Sequence, residues 1–350
     1  MMSSSIAIRN IYVMMAYAFR AIRHNGVAQV ETEEFDHLHD LFAEILLRGV
    51  GALVKRGLHR GYVPHSDELA TVRGRLDITG SVATRSMLRG KLVCEFDEYE
   101  ADTPHNQALK AVIVLLIRHG QVSASRRDAL RRLLPYLDAV TLVAPDSIRW
   151  NTLTYHRANA NYRFLLGACE LVVRGLLPTT STGSTKLTSW ISDEAMSSLY
   201  ERFLREYYSI EHPELSTSSS KVPWDYNAEE ASGVEQLPAM FTDVVLRNKQ
   251  RTLIIDAKYY GHSMQLSRWG KLTLHSAHIY QIFAYVKNMD INHDGSISGL
   301  VLYARTTAPE QPDVDVTIQG NRIGATTLDL NQEWPVVRDQ LEGIISWLNP

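Results

Sequence analysis

The sequence predicts a mixed α/β protein with an α+β arrangement overall. An N-terminal mixed α/β domain is followed by a domain with a central mixed sheet flanked by helices. Apolar residues recur at helical spacing near the N-terminus, short alternating segments follow, and the C-terminal part reads helix, strand hairpin, helix, strand. The 350 residues exceed the size at which one core usually stops growing. We therefore expect two domains, residues 1–150 and 151–350.

The composition is that of an ordinary globular protein. Hydrophobic residues make up 45%, and Lys+Arg 36 against Asp+Glu 39 leaves a formal net charge of -3. Without a basic excess, contact with nucleic acid is expected to be local or supported by a partner. The separated Cys94 and Cys169 favour reduced thiols in a cytoplasmic protein. No run approaches the ~20 apolar residues of a membrane span, and a signal peptide is disfavoured because its apolar region would have only about five residues.

The N-terminal half alternates between helical and strand-like segments. Helices are predicted over 6–23 and 35–57, the second ending near Gly57. Between about 60 and 103, "GRLDITGSV" and "KLVCEFDEYEAD" alternate as strands do. Helices are predicted again over 104–118, which Pro104 opens, and over 124–138.

Five acidic residues crowd the second of these strand-like segments, and either of two interpretations fits them. They belong to a solvated strand and loop, or they form a surface that faces a partner or binds ions. The residues are Glu95, Asp97, Glu98, Glu100 and Asp102.

A helix predicted over 159–177 stops at Pro178, before a Ser/Thr/Gly loop, "TTSTGSTK". A phosphate-binding P-loop needs Gly, four residues, then Gly-Lys-Ser/Thr, and this stretch lacks that order. We therefore expect no nucleotide to be bound by this chain.

The C-terminal part has an informative order of elements. A helix over 192–210 precedes the strands "AMFTDVVLR" and "TLIIDAKYY", which are joined by a turn at "NKQR". After a basic loop come a helix over 274–289 and a strand over 296–304. This order predicts a sheet covered by helices.

The strand hairpin carries the candidate site. Residues two apart in a strand face the same side, so Asp256 and Lys258 point together. The apolar run before them indicates a strand buried near the centre of the sheet. Asp243 lies 13 residues before Asp256, and the turn folds the two strands back so that the carboxylates converge.

Two carboxylates and a lysine in this arrangement suit phosphodiester hydrolysis. The carboxylates of Asp243 and Asp256 would hold a hard divalent ion such as Mg2+, which polarises the phosphoryl oxygen and activates water. Lys258 would orient that water or stabilise developing charge. Glu201 is the candidate third acid and metal ligand, with Glu206 as the fallback.

Other residues of this part of the chain are candidates for supporting or neutral roles. Gln281 and Tyr285 lie four apart on one helix face and could hydrogen-bond the lysine-bearing strand or a DNA backbone. His275 and His278 could share a metal, but solvent or packing roles are favoured because no third ligand is near. The alternative for the whole hairpin is a structural Asp–Lys pair at a strand end.

Basic and aromatic residues suggest a local DNA contact near the site, with a merely solvated hairpin as the alternative. The basic residues lie in the "RNKQR" turn and at Arg268 and Lys271, and the aromatic residues are Tyr259, Tyr260 and Trp269.

The order "TDVVLRNKQRTLIIDAKYY" followed by "YQIFAY" resembles the PD-(D/E)xK nuclease superfamily. Further segments resemble the McrC family, the nuclease subunits of McrBC modification-dependent restriction systems, over nearly the whole chain. These segments are "IRNIYVMMAYAF", "GRLDI", "CEFDEYEADTPHNQALK" and "LDLNQEWP". Thr242 stands where the superfamily motif has proline.

The resemblance implies a partner and a division of labour. Residues 1–150 would engage the ring of an McrB-like AAA+ GTPase and stimulate its GTP hydrolysis, and residues 151–350 would form the endonuclease. GTP would be bound by the partner, which recognises methylated cytosine in double-stranded DNA and moves the duplex. By the same resemblance, Asp243, Asp256 and Lys258 form the catalytic set.

Two other functions stay open. One is an interaction subunit that activates a GTPase ring without cutting DNA, and the other is a stand-alone PD-(D/E)xK repair nuclease.

Overall fold

In the computed structural model, the described residues are 8–20, 38–155, 159, 162–175, 178–181, 184–187, 192–259, 263–266 and 270–349. The helices are α1 (Ile8–Ala18), α2 (Leu38–Arg56), α3 (Ile78–Ala83), α4 (Pro104–His119), α5 (Ala124–Leu133), α6 (Tyr162–Gly175), α7 (Asp193–Glu211), α8 (Ser276–Met289) and α9 (Trp334–Ile345). The strands of the first half are β1 (Gly61–Leu69), β2 (Arg75–Leu76), β3 (Leu92–Glu100), β4 (Pro178–Ser181) and β5 (Ser184–Leu187). Those of the second half are β6 (Ser216–Ser218), β7 (Lys221–Val222), β8 (Met240–Phe241), β9 (Val244–Arg247), β10 (Thr252–Lys258), β11 (Met264–Leu266), β12 (Leu272–Leu274), β13 (Ile297–Ala304), β14 (Val314–Ile318) and β15 (Asn321–Leu328).

The chain forms two compact units, and their limits differ from the predicted boundary near residue 150. One unit comprises Met1–Phe35 with Trp190–Pro350, and the other comprises Asp36–Ser189. The first helix joins the C-terminal part because α1 packs against α7. The Asn10 amide also donates hydrogen bonds to the carbonyls of Leu330 and Gln332, at 2.7 and 2.8 Å. The functional roles expected of residues 1–150 and 151–350 stay predictions.

The unit of residues 36–189 combines a helical core with a small sheet. Its longest helix, α2, packs against α4, α5 and α6, and it buries Leu41, Phe42 and Leu46. The sheet is antiparallel, with β3 between β1 and β2. Within the described residues, the helices predicted over 35–57, 104–118 and 159–177 are confirmed as α2, α4 and α6.

Two segments of this unit differ from the sequence prediction. The segment "GRLDITGSV" forms a strand only at Arg75–Leu76, because the Asp77 carboxylate accepts a hydrogen bond of 2.9 Å from the Gly80 N–H and starts α3. The segment "TTSTGSTK", predicted as a loop, pairs as the antiparallel strands β4 and β5. Its β-branched threonines suit a strand, which its turn-like composition concealed.

The other unit is built on a mixed sheet with the strand order β14-β15-β13-β10-β9-β6 among the described residues. The central strand β10 is antiparallel to β9 and parallel to β13. Leu253, Ile254 and Ile255 have no exposed surface, as predicted for a central strand covered on both faces. Helix α7 contacts β9 and β10, and α8 contacts β10 and β13. The predicted fold class is therefore confirmed.

Several elements of this unit were not predicted. The predicted strand "AMFTDVVLR" is two strands, because β8 pairs with β7 whereas β9 pairs with β10 and β6. The predicted basic loop contains the hairpin of β11 and β12. The sequence analysis also left β14, β15 and α9 unassigned. The turn between β14 and β15 places Gln319 and Gly320 at positive φ, 49° and 87°, which suits a tight hairpin.

Candidate active site at the end of the central strand

The end of β10 presents Asp256 and Lys258 from a rigid position. Asp256 is 1% exposed, and the preceding strand is completely buried. The Lys258 ammonium lies 2.9 Å from Asp256 Oδ2 and donates a hydrogen bond of 3.1 Å to Oδ1. The two side chains share one face of the strand, as their spacing predicts.

Asp243 reaches this strand from the break between β8 and β9. Its Oδ2 accepts a hydrogen bond of 2.8 Å from the backbone N–H of Ala257. The break is fixed by Thr242, whose backbone N–H and hydroxyl both bond to Ser220. Because Val244 already pairs with Ile255, the carboxylate of Asp243 takes the place of a backbone partner and lies beside Asp256.

Helix α8 supplies the two supporting residues that the sequence predicted. Gln281 Oε1 accepts a hydrogen bond of 3.2 Å from Lys258, and Gln281 Nε2 donates one of 2.7 Å to the hydroxyl of Tyr285. The amide therefore links the lysine to a tyrosine that is 6% exposed. This chain of hydrogen bonds limits where the Lys258 ammonium can go.

Glu201 faces the same site from α7, whereas Glu206 does not. Burial raises the pKa of Glu201, and the charge of Asp243 raises it further. The Ser197 hydroxyl donates a hydrogen bond of 3.3 Å to it. Glu206 is instead buried and paired with Arg20, which favours Glu201 over Glu206 as the candidate third acid.

The charges of Asp243 and Glu201 disfavour the charged form of Asp256, and the charge of Asp243 disfavours that of Glu201. Burial raises the pKa of Asp256 to about 6; Lys258 opposes this rise, and Asp243 and Glu201 add to it. Burial also raises the pKa of Asp243, although the Ala257 N–H partly offsets the rise. An acidic cluster of this kind is relieved by an added positive charge.

The donor set fits a hard divalent cation. All the donor atoms are carboxylate oxygens, and Asp256 Oδ2 accepts no hydrogen bond of regular geometry from a described residue despite its ion pair with Lys258. The three acids do not, however, form a group whose donor atoms all lie within 4.8 Å of one another, as His65, Glu98 and Glu100 do in the described chain. Asp243, Asp256 and Glu201 are therefore spread more widely than a closed ligand shell.

The acidic strand β3 is engaged in ion pairs with neighbouring residues. Arg75, Arg73 and His65 lie 3.1, 2.8 and 2.9 Å from Glu95, Glu98 and Glu100, respectively. The pair of His65 with Glu100 accounts for the close approach of those two residues, and Glu98 is paired with Arg73. These ion pairs favour the interpretation of this segment as a solvated strand.

Two groups near the site were missed or undervalued by the sequence analysis. His278 lies 2.8 Å from the hydroxyl of Tyr303, and Tyr303 is paired with Lys258 across the sheet. Burial, followed by the charges of Lys258 and His275, lowers the pKa of His278 to about 4, so the ring is neutral at pH 7. Arg205 follows Glu201 by one helical turn. The sequence spacing gave no sign that His278 and Arg205 lie near the site, because both side chains also suit a solvated helix face.

One part of the predicted basic surface lies away from the site. The "RNKQR" turn lies at the opposite end of β10 from Lys258, about 20 Å away at the usual rise per residue of a strand. Its arginines therefore do not flank the acidic residues, contrary to the prediction. Tyr260, Arg268 and Trp269 lie outside the described residues.

The fold and the site define a mixed α/β protein with an acidic, lysine-containing site at the end of a buried central strand. A family model described as "McrBC 5-methylcytosine restriction system component" matches residues 4–304. The chain belongs to this family. No described helix is long and apolar enough to cross a membrane.

The chain is also similar to one curated relative and to two solved structures. The chain is 29% identical over 343 residues to the Escherichia coli K12 protein named "Type IV methyl-directed restriction enzyme EcoKMcrBC", covering 96% of each sequence. Its fold is similar to a chain of an assembly of Thermococcus gammatolerans McrB AAA+ hexamers with bound McrC, with a TM-score of 0.50 and 15% identity over 96% of this chain and 75% of that one. A second structure of the T. gammatolerans McrBC complex matches at a TM-score of 0.39 and 18% identity, covering 58% of this chain and 59% of that chain.

Proposed function

We propose that this chain is the DNA endonuclease subunit of a GTP-dependent, methylcytosine-directed restriction system. The observation that carries the proposal is the convergence of Asp243, Asp256 and Lys258 at the end of a buried strand. Membership of the McrBC family supplies the biological setting. The reaction is the hydrolysis of phosphodiester bonds in double-stranded DNA.

The residues divide the work of hydrolysis. Asp243 and Asp256, with Glu201 as the third acid, would hold Mg2+ or another divalent ion, which polarises the phosphoryl oxygen and activates water when it is bound. Lys258 donates to oxygens that become more negative as the phosphorus is attacked. The bonds from Gln281 to Lys258 and Tyr285 keep that ammonium in position.

The partner in this proposal is an McrB-like AAA+ GTPase ring. The E. coli relative is named as a methyl-directed restriction enzyme, and the similar Thermococcus chain comes from an assembly of McrB hexamers with McrC. The partner would bind the GTP and recognise the modified cytosine, and this chain would stimulate its GTP hydrolysis in the cytoplasm. A net charge of -3 suits a subunit that receives DNA already held by its partner.

The experiment that tests this proposal measures double-strand cleavage of methylated and unmethylated plasmid by the purified chain with Mg2+. It is run with and without the cognate McrB and GTP. We expect cleavage only of methylated DNA and only with McrB and GTP present. Strong cleavage by the chain alone would instead identify a stand-alone nuclease. Stimulated GTP hydrolysis without any cleavage would identify a non-catalytic activating subunit.

A further inference from the structure

Arg205 lies on the same face of α7 as Glu201. The two residues are four apart, and residues at this spacing are neighbours on a helix surface. Burial raises the pKa of both Glu201 and Asp243, and the positive charge of Arg205 offsets part of each rise. The guanidinium therefore stands close enough to the acidic cluster to act on two of its three members.

Arg205 forms no hydrogen bond or ion pair with any residue that the structure describes. Glu201, which could pair with it across one helical turn, accepts a hydrogen bond from Ser197 instead. Five other arginines of this unit have defined partners, whereas Arg251 and Arg338 form no side-chain hydrogen bond or ion pair with a described residue. The five are Arg20 with Glu206, Arg202 over the Phe19 ring, Arg247 with Thr252, Arg305 with Asp329 and Arg322 with Asp315.

The partly buried position of Arg205 beside the acidic cluster makes its lack of hydrogen bonds informative. A guanidinium carries five N–H donors in a planar fork, and withdrawing it from water without partners is unfavourable. The other cation of the site, Lys258, is already bonded to Asp256 and Gln281. The site therefore holds one cation engaged within the protein and a second whose donors are available to a ligand.

From this geometry we infer that Arg205 binds a phosphate group of the DNA at the cleavage site. A guanidinium fork matches two oxygens of one phosphate, which a lysine ammonium does not. The bound phosphate would face both the acidic cluster and the guanidinium, so Arg205 would position the DNA backbone and oppose the charge that develops on phosphorus. This inference rests on the proposed nuclease function.

A competing role for Arg205 is to neutralise the acidic cluster within the folded protein. That role needs a positive charge and no particular shape, so Arg205→Lys would preserve it. Phosphate binding through two parallel hydrogen bonds needs the fork, so Arg205→Lys would not preserve it. The lysine variant therefore distinguishes the two roles.

The test compares Arg205→Ala and Arg205→Lys with the matched control Arg202→Ala, which changes an arginine on the same helix that stacks on Phe19. The full chain is assayed with its cognate McrB, GTP and Mg2+ on methylated plasmid. We expect cleavage to fall about 100-fold in Arg205→Ala, as when one donor to a transition state is removed, and about tenfold in Arg205→Lys, which keeps the charge but loses the fork. Stimulation of the GTPase and the unfolding temperature should stay as in Arg202→Ala.

Two results would overturn the inference: cleavage by Arg205→Ala within about threefold of Arg202→Ala, or the full rate in Arg205→Lys. If Arg205→Ala does not fold, the lysine variant alone decides.

Asp256→Asn separates this inference from the proposed function. Undiminished cleavage by Asp256→Asn contradicts the nuclease assignment itself, whereas an inactive Asp256→Asn with a fully active Arg205→Ala contradicts only the role of Arg205.

Discussion

At the scale of single residues, the site places acidic side chains where burial disfavours their charged forms. Asp256 is 1% exposed and has the Lys258 ammonium as its close cation, yet burial still raises its pKa to about 6. Each of the other two acids also has a raised pKa. The folded chain therefore holds a cluster of acids whose charged forms are disfavoured by burial.

The raised pKa of Asp256 predicts that the stability of the protein depends on pH. The pKa of Asp256 rises from its ordinary value of 3.8 to about 6 on folding, so the folded state binds more protons between these values. Stability of the metal-free protein should then fall as pH rises through this interval. Asp256→Asn removes the charge and should stabilise the metal-free protein at pH ~8 by up to about 3 kcal/mol, with the gain vanishing near pH ~4.

Urea denaturation in the presence of a chelator measures this difference. The matched control is Asp315→Asn, because hydrogen bonding to Arg322 lowers the pKa of Asp315 and its charged form is favoured on folding. This control should lose a little stability at the higher pH. A loss of stability in Asp256→Asn at that pH would show that burial does not destabilise the ionised carboxylate of Asp256.

At the scale of elements, the sequence revealed β10 and the turn before it because a continuous apolar run ends in charged residues. It did not reveal the break between β8 and β9, because Thr242 and Asp243 sit within an otherwise regular strand pattern. The break depends on hydrogen bonds to Ser220, which is distant in sequence. Sequence reasoning therefore found Asp243 but not the reason why its carboxylate faces β10.

The fit of α8 on the sheet should control the position of Gln281. Gly299 of β13 leaves room for this helix, since a Cβ there would lie 2.6 Å from Val286 and 2.7 Å from Ile282. Gly299→Ala should push α8 away, cost about 1–3 kcal/mol of stability and reduce cleavage by weakening the bond between Gln281 and Lys258. Denaturation and cleavage assays measure both effects.

Gly343→Ala is the matched control for this substitution, because a Cβ at Gly343 of α9 meets nothing within 4 Å. Alanine there should raise helix stability slightly and leave cleavage unchanged. Equal stability and cleavage for the two alanine variants would contradict the close packing of α8 against β13.

At the scale of the whole molecule, the order of elements predicted a mixed α/β protein, but it did not predict the compact units. Local patterns show where helices and strands begin, whereas the placement of α1 with the C-terminal sheet depends on contacts such as that between Asn10 and Leu330. Those contacts join residues that are 320 positions apart. Composition left two alternatives open at this scale, because the absence of a basic excess fits either a local DNA contact or support from a partner.

The central claim is that Asp256 serves DNA cleavage and is not needed to activate the partner. The most direct measurement records double-strand cleavage of methylated plasmid and GTP hydrolysis in the same reactions, with Asp256→Asn, Asp315→Asn or the unchanged chain added to the cognate McrB. The account predicts that Asp256→Asn lowers cleavage at least about 1000-fold, while its stimulation of GTP hydrolysis equals that of Asp315→Asn. Undiminished cleavage by Asp256→Asn would contradict it.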